Sequence, residues 1–201
     1  MPSPPLKKPT MYFAYGSNLW LHQMSTRCPT ATYLGIARLN TYKWLINTRG
    51  YANVVEVPDS QNDTDTHLVY GLVYTLSQTD ESRLDKNEGV PEAYTKEYLP
   101  CDFWPSKDYG KVDTTEPPAY TRDMLVYIDR KRTTPDKPRV EYVYRMNQGI
   151  ADAVRLGVPE AYVEGIMRKS IRELGEKRQE IESFARKQAG AFKDESGIVK
   201  G

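Results

Sequence analysis

Between His67 and Leu76 the chain places Leu68, Tyr70, Leu72, Tyr74 and Leu76 on one face of an extended segment, and Val69, Gly71, Val73 and Thr75 on the other. Side chains of a strand alternate between faces, so both faces of this segment are mostly apolar. Such a strand needs cover on both sides and predicts a central position in a sheet buried on both faces. The neighbouring segments supply partners. Met11 to Tyr15, Thr32 to Arg38, Tyr42 to Thr48, Ala52 to Val57, Tyr94 to Phe103 and Ala119 to Ile128 all read as extended. Asn40-Thr41 lies between the second and third of these, as in a tight turn. Six or seven strands interrupted by helices predict a mixed α+β domain around a curled sheet or small barrel.

The helices announce themselves by their ends. Leu19 to Arg27 is closed by Cys28-Pro29. Asp80 to Glu88 has Ser77 or Thr79 as its cap and Gly89 as its stop. Tyr142 to Leu156 is separated by Gly157-Val158-Pro159 from a further segment. There Val163, Ile166, Met167, Ile171 and Leu174 recur at helical spacing, predicting a helix from Glu160 to about Leu174. Asp59 to Asp65 reads as a polar loop. Trp104 to Pro118, rich in Pro, Lys and Asp, reads as a long surface insertion, and Arg130 to Arg139 as a basic, proline-broken loop.

A length of 201 residues predicts one domain with chain enough for a core. The expected division is a disordered leader at 1–10, the folded domain at 11–174 and a charged helical tail at 175–201. A formal net charge of +1 gives no global field for recruiting nucleic acid or an anionic membrane. No apolar run approaches the ~20 residues that cross a bilayer. The leader has four prolines and two lysines but no apolar core, so it does not read as a secretory signal. Cys28 and Cys101 stand outside any C-x-x-C spacing and are expected as reduced thiols, which places the protein in the cytoplasm. The only histidines, His22 and His67, form no metal-ligand motif, and no metal is expected.

The first strand empties through Gly16-Ser17-Asn18 into a helix. Such a turn leaves backbone N–H groups facing one concavity, which suits an anion or a polarised carbonyl. Ser17 and Asn18 read as cap and oxyanion-type donors. A Ser17 nucleophile finds no G-x-S-x-G context and no His–Asp pair. Glu88 closes a helix four residues after Leu84, on the same face. If that face is buried, desolvation raises the carboxyl pKa and makes a general base; if not, Glu88 is an ordinary exposed helix end. Asn47-Thr48-Arg49-Gly50-Tyr51-Ala52-Asn53 reads either as a bulge presenting side chains at a barrel mouth or as a plain hairpin loop. Of the 15 tyrosines, Tyr15, Tyr94 and Tyr142 or Tyr144 are candidate pocket donors, with core packing as the alternative for each.

Together these segments resemble the γ-glutamylcyclotransferase family. The resemblance rests on Tyr15-Gly16-Ser17-Asn18-Leu19 after an aromatic strand and on Tyr70-Gly71-Leu72-Val73-Tyr74. It extends to Leu84-Asp85-Lys86-Asn87-Glu88-Gly89-Val90 and to Gly157-Val158-Pro159 with Tyr162. It covers Met11 to Leu174 and leaves out the leader, the Trp104 to Pro118 insertion and the tail. It implies a small, mostly antiparallel β-barrel flanked by helices, with a helical C-terminus. It implies cleavage of a γ-glutamyl amide without water, giving 5-oxoproline and a free amine, with no cofactor. It assigns the acid/base role to Glu88 and cradling of the γ-glutamyl group to Tyr15, Gly16, Ser17, Asn18 and Leu19, with Tyr94 as a further substrate-binding candidate.

The expected partner is a small γ-glutamyl compound, handled by a monomer or homodimer. One alternative keeps the chemistry but applies it to the γ-glutamyl group of a glutathione S-conjugate in specialised metabolism, with the Trp104 to Pro118 insertion walling the leaving group. A catalytically silent γ-glutamyl-binding module is another, against which the presence of Glu88 argues. A nucleic-acid or protein adaptor built on the tail has little support, because its Lys and Arg are interleaved with Glu.

Overall fold

A computed structural model describes residues 8–58, 67–175 and 179–198. Most of the expected leader and the Asp59 to Asp65 loop lie outside them. Seven strands form among the described residues: β1 (Thr10–Ala14), β2 (Thr32–Asn40), β3 (Tyr42–Ile46), β4 (Ala52–Glu56), β5 (Leu68–Leu76), β6 (Thr95–Pro105) and β7 (Tyr120–Ile128). Five of them close a barrel in the order β1-β5-β2-β6-β7. Four of its pairings are antiparallel, and a single parallel contact, Tyr12 with Leu125, joins β7 back to β1.

The doubly apolar β5 sits between β1 and β2, with Val73 opposite Phe13 and Leu72 opposite Ile36. Val69, Leu72 and Val73 are fully buried. Gly71 permits the closest approach in this layer. A Cβ there would lie 2.3 Å from the Ala14 carbonyl oxygen and press on the Phe13 ring. Any side chain at Gly71 therefore pushes β5 off β1.

The turn at Asn40-Thr41 is present, but the strands it joins do not pair. β3 pairs with β4 instead, Trp44 opposite Val54, as a hairpin outside the barrel ring. Thr41 takes a positive φ of 64°. Its N–H donates to the His67 carbonyl, and its own carbonyl accepts from Val57. These bonds divert the chain out of the barrel. Trp44 then anchors the hairpin through Nε1 to the Tyr15 carbonyl at 3.0 Å. Buried Asn53 exchanges two bonds with the Asp129 backbone, and Asn47 donates to the Asp129 carboxylate. The hairpin tip is thereby held at one mouth of the barrel.

Among the described residues five helices surround this frame: α1 (Leu21–Arg27), α2 (Gln78–Asn87), α3 (Val140–Leu156), α4 (Glu160–Gly165) and α5 (Gln179–Gly190). Ser77 caps α2 through the Asp80 N–H, and Gly89, at φ 63°, ends its last turn. The helix expected from Glu160 to Leu174 is shorter than its periodicity suggests. It breaks at Gly165-Ile166, and a 3₁₀ turn, Met167–Lys169, follows. Gly165 weakens the helix, while the break still buries Met167 and Ile171. The apolar spacing was that of two short turns. The Trp104 to Pro118 segment is tied down by Trp104 Nε1 on the Glu116 carbonyl and by Val112 N–H on the Leu156 carbonyl. It packs beneath the C-terminal end of α3. No described helix is long and apolar enough to cross a membrane.

Candidate active site

The mouth of the barrel nearest the hairpin holds a cavity with about 470 Å³ of empty space, part of it open to solvent. Its walls come mainly from five places. The β1 exit contributes Tyr12, Tyr15, Gly16, Ser17 and Asn18. The end of α2 contributes Asn87 and Glu88. The hairpin contributes Arg49, Tyr51 and Ala52, α3 contributes Tyr142 and Arg145, and the C-terminal segment contributes Phe192. Arg27, Tyr94 and Tyr127 complete it.

Glu88 is placed by backbone geometry. It follows the last turn of α2, and its N–H donates to the Leu84 carbonyl at 2.8 Å. Leu84 is fully buried, so the shared face carries Glu88 to the cavity rim, where its side chain remains 16% exposed. Asn18 Nδ2 donates to Glu88 Oε1 at 3.0 Å, and Arg27 Nη1 lies 3.8 Å from the same oxygen. Burial raises the Glu88 carboxyl above the usual carboxylate range. Arg27, the Asn18 hydrogen bond, Arg49 and Arg145 oppose that rise without cancelling it. A carboxylate whose proton affinity is raised this way can accept a proton and give it back.

The Gly16-Ser17-Asn18 turn differs from its expected role in detail. Ser17–Leu19 form a 3₁₀ turn, and neither Ser17 nor Asn18 caps α1. That task falls to Asp152 of α3, which accepts from the Leu21 N–H at 2.9 Å. The Asn18 amide instead ties the site together. Its nitrogen reaches Tyr12 Oη and Glu88, while its oxygen accepts from Gln23 and Arg27. Ser17 Oγ accepts from Gln23 and from Arg145 Nη1, each at 2.9 Å. It is thus held by two donors and faces no base.

The Ser17 N–H does not point bare into the cavity either. It donates to the Tyr142 hydroxyl at 3.2 Å, and the Ala52 N–H does the same from across the site. Two accepted bonds leave the phenol proton for an acceptor in the cavity. Burial pushes the Tyr142 pKa up to about 12, so it serves as a neutral donor. Gly16 is required by space. A Cβ there would stand 2.9 Å from the Tyr142 hydroxyl.

The other candidates divide. Tyr15 and Tyr94 line the cavity, but their hydroxyls bond backbone carbonyls, Tyr127 and Ala52 respectively. They shape the wall with their rings. Leu19 does not line the cavity; its side chain lies against Gly149 of α3. Tyr144 faces the other way, packing on Trp20 with Ala185 and Ala189 of α5. The Asn47 to Asn53 stretch is a hairpin loop, closed by Asn47 N–H on the Tyr51 carbonyl, and it nevertheless presents Arg49 and Tyr51 to the site. The Trp104 to Pro118 segment contributes nothing to the cavity, because it packs at the far end of α3.

Sequence reasoning missed Arg27, Arg145 and Phe192. A signal for Arg145 existed. Glu141 and Arg145 stand one helical turn apart on the apolar, tyrosine-rich face of α3, where they form a two-pronged ion pair. Phe192 had no local signal. It reaches the site only because α5 docks on α1, where Arg27 donates to the Gln188 and Ala189 carbonyls.

This arrangement accompanies a match to known proteins. The family described as "Gamma-glutamyl cyclotransferase, AIG2-like" matches residues 12–158. The chain belongs to that family. A bovine gamma-glutamylcyclotransferase is 32% identical over 111 residues, 52% of this chain and 55% of that protein. The matched stretch thus spans about half the bovine protein's length. A mouse gamma-glutamylcyclotransferase is 27% identical over 161 residues, 77% of this chain and 75% of its own. Among solved structures, a gamma-glutamyl cyclotransferase at 24% identity superposes with a TM-score of 0.62, covering 90% of this chain and 99% of that one. The family fold is the barrel described above.

Proposed function

We propose that this chain cleaves γ-glutamyl amides by internal cyclisation, releasing 5-oxoproline and a free amine. The observation that carries this reading is the Glu88 carboxylate, held by Asn18 at the rim of a cavity that also offers the Tyr142 hydroxyl as a donor. The α-nitrogen of a γ-glutamyl group lies within five-ring reach of its own γ-carbonyl carbon. Holding that folded conformer converts the reaction into a high effective-molarity step.

Glu88 takes a proton from the α-ammonium. The freed amine attacks the γ-carbonyl carbon, and the C=O electron pair moves to oxygen. Tyr142 donates to that oxyanion, and its phenol is itself oriented by the Ser17 and Ala52 amides. As the tetrahedral species collapses, Glu88 returns its proton to the departing amine nitrogen, and the extra proton left on the ring nitrogen passes through the same carboxylate to the released amine, which departs as an ammonium. One C–N bond forms, one breaks, no water is consumed, and Glu88 ends as it began. The buried, unpaired Cys28 and Cys101 support the reducing cytoplasm as the setting.

The test is product analysis in ¹⁸O-labelled water with γ-glutamyl-alanine. Unlabelled 5-oxoproline is expected. A labelled glutamate product means hydrolysis and overturns the cyclisation reading.

A further inference from the structure

We propose that Arg49 is the residue of this site that binds a carboxylate of the substrate; this rests on the reading of the cavity as a γ-glutamyl site. Three arginines line the cavity, and their hydrogen bonds distinguish them. Arg145 is committed to Glu141 through Nε and Nη2, and to Ser17 and Gln23 through Nη1. Arg27 spends Nε and Nη2 on the Ala189 and Gln188 carbonyls and Nη1 on Asn18. Arg49 differs. Nε and Nη2 both meet a single oxygen of Asp194, at 3.0 and 2.9 Å. Nη1 is buried and has no hydrogen-bond partner among the described residues.

A buried N–H left without an acceptor is costly, and a charged one more so. The rest of Arg49 is prepared for a planar anion. Its guanidinium lies over the rings of Tyr51 and Tyr94, at 5.2 and 5.1 Å from their centroids. Its backbone is pinned at the hairpin tip by Asn47 Oδ1 and by Arg139. The side chain is 1% exposed, so little reorganisation is left for the moment of binding. The unpartnered nitrogen suits a carboxylate oxygen. A γ-glutamyl-amino acid brings two candidates, the α-carboxylate of the glutamyl group and the carboxylate of the leaving amino acid.

The experiment is calorimetric binding in the Glu88→Gln background, which keeps substrate intact, with and without Arg49→Met. Arg49→Lys is run as a second variant that keeps a charge opposite Asp194. Three ligands are compared: γ-glutamyl-alanine, its glutamyl α-carboxamide, and γ-glutamyl-methylamide, which lacks the second carboxylate. Loss of a charge-assisted bond at a buried site corresponds to about a ten- to hundredfold weaker Kd. The expected result is that Arg49→Met weakens γ-glutamyl-alanine by that factor but leaves unchanged the one analogue that lacks the carboxylate Arg49 holds. Which analogue is insensitive identifies the carboxylate. Equal weakening of all three ligands by both variants overturns the proposal, because it is what a merely structural arginine produces. Wild-type turnover to 5-oxoproline alongside that outcome sinks this proposal and leaves the functional reading standing. If the wild type gives no 5-oxoproline and none of the three ligands binds, both fall.

Discussion

The two walls of the cavity are built on different principles. One wall is made by two short contiguous runs, Tyr12 to Asn18 and Asn87-Glu88, and it holds the carboxylate proposed to move the proton. The other gathers Arg49, Tyr142, Arg145 and Phe192 from a hairpin tip, a helix and the C-terminal segment. The first wall is polar through few atoms, with Asn18 bridging Tyr12 and Glu88. The second carries positive charge, most of it already matched: Arg145 by Glu141 and Arg49 by Asp194. The proposed proton transfer thus rests on local sequence, whereas the proposed oxyanion donor Tyr142 and the residues that set shape and charge are brought together by tertiary packing. Changes on the first wall should therefore strike turnover, and changes on the second, Tyr142 apart, should strike affinity.

The sharpest way to break that division is Glu88→Gln. The amide keeps the shape and can still accept from Asn18, but it cannot take the ammonium proton. Loss of general acid/base assistance is expected to lower kcat by ~10²–10⁴-fold while KM stays within about tenfold. Steady-state kinetics with 5-oxoproline as the readout decides it. Retention of more than about a tenth of wild-type kcat would remove Glu88 from the proton-transfer role.

Phe192→Ala tests the opposite wall. The ring stands edge-on to Tyr51 and takes Arg27 and Arg145 over its face at 5.8 and 5.5 Å. Removing it takes away contacts worth roughly 1–2 kcal/mol in all and opens the cavity to water. KM should rise about tenfold with kcat changed by less than threefold. A fall in kcat with KM unchanged would show that the C-terminal segment serves the chemistry, and the contrast between the walls would be lost.

The same contrast explains what could be read in advance. A covered, curled sheet or small barrel followed from alternation, because β5 is apolar on both faces and only a closed or covered sheet accommodates that; the barrel in particular came from the family resemblance. The spacing of Glu88 to Leu84 placed it on one face with that buried leucine, but left its role open between a general base and an exposed helix end; the acid/base role came from the family resemblance. The turn at Gly16-Ser17-Asn18 was legible as a site but not in its hydrogen bonding. Nothing local to Ser17 indicates that its N–H would be taken by a hydroxyl 125 residues away. Likewise Lys, Arg and Glu interleaved through 175–201 read as a solvated helix. Arg27 donating into the last turn of α5 draws that helix, and Phe192 after it, onto the cavity. Leu19 was misplaced because a motif residue can serve the turn by packing inward, here against Gly149, rather than by touching the ligand.

The smallest effect expected is also the most diagnostic of how the two walls meet. Asn18→Ala removes the hydrogen bond to Glu88, worth about 1 kcal/mol, along with those to Tyr12, Gln23 and Arg27, and through the Glu88 bond should lower kcat/KM by about fivefold. Its clearer signature lies in the pH profile. Glu88 must be ionised to accept the ammonium proton, so kcat/KM falls as pH drops through its pKa. That pKa is already raised by burial, and the Asn18 bond opposes the rise by favouring the charged form. Without Asn18, the carboxyl pKa climbs further and the acid limb moves to higher pH. Stability runs the opposite way with pH. A carboxyl whose folded pKa is raised binds more protons in the native state than in the unfolded one. The protein therefore loses stability as pH climbs from the unfolded value toward the folded one, and Asn18→Ala deepens that loss. A pH–rate profile and thermal melts across the acid range check both. An acid limb moving to lower pH would mean that Arg27, released from Asn18 and only 3.8 Å from Glu88, closes onto the carboxylate in its place. In that event the second wall's charge would be setting the proton affinity of the first, and the two could no longer be treated as separate.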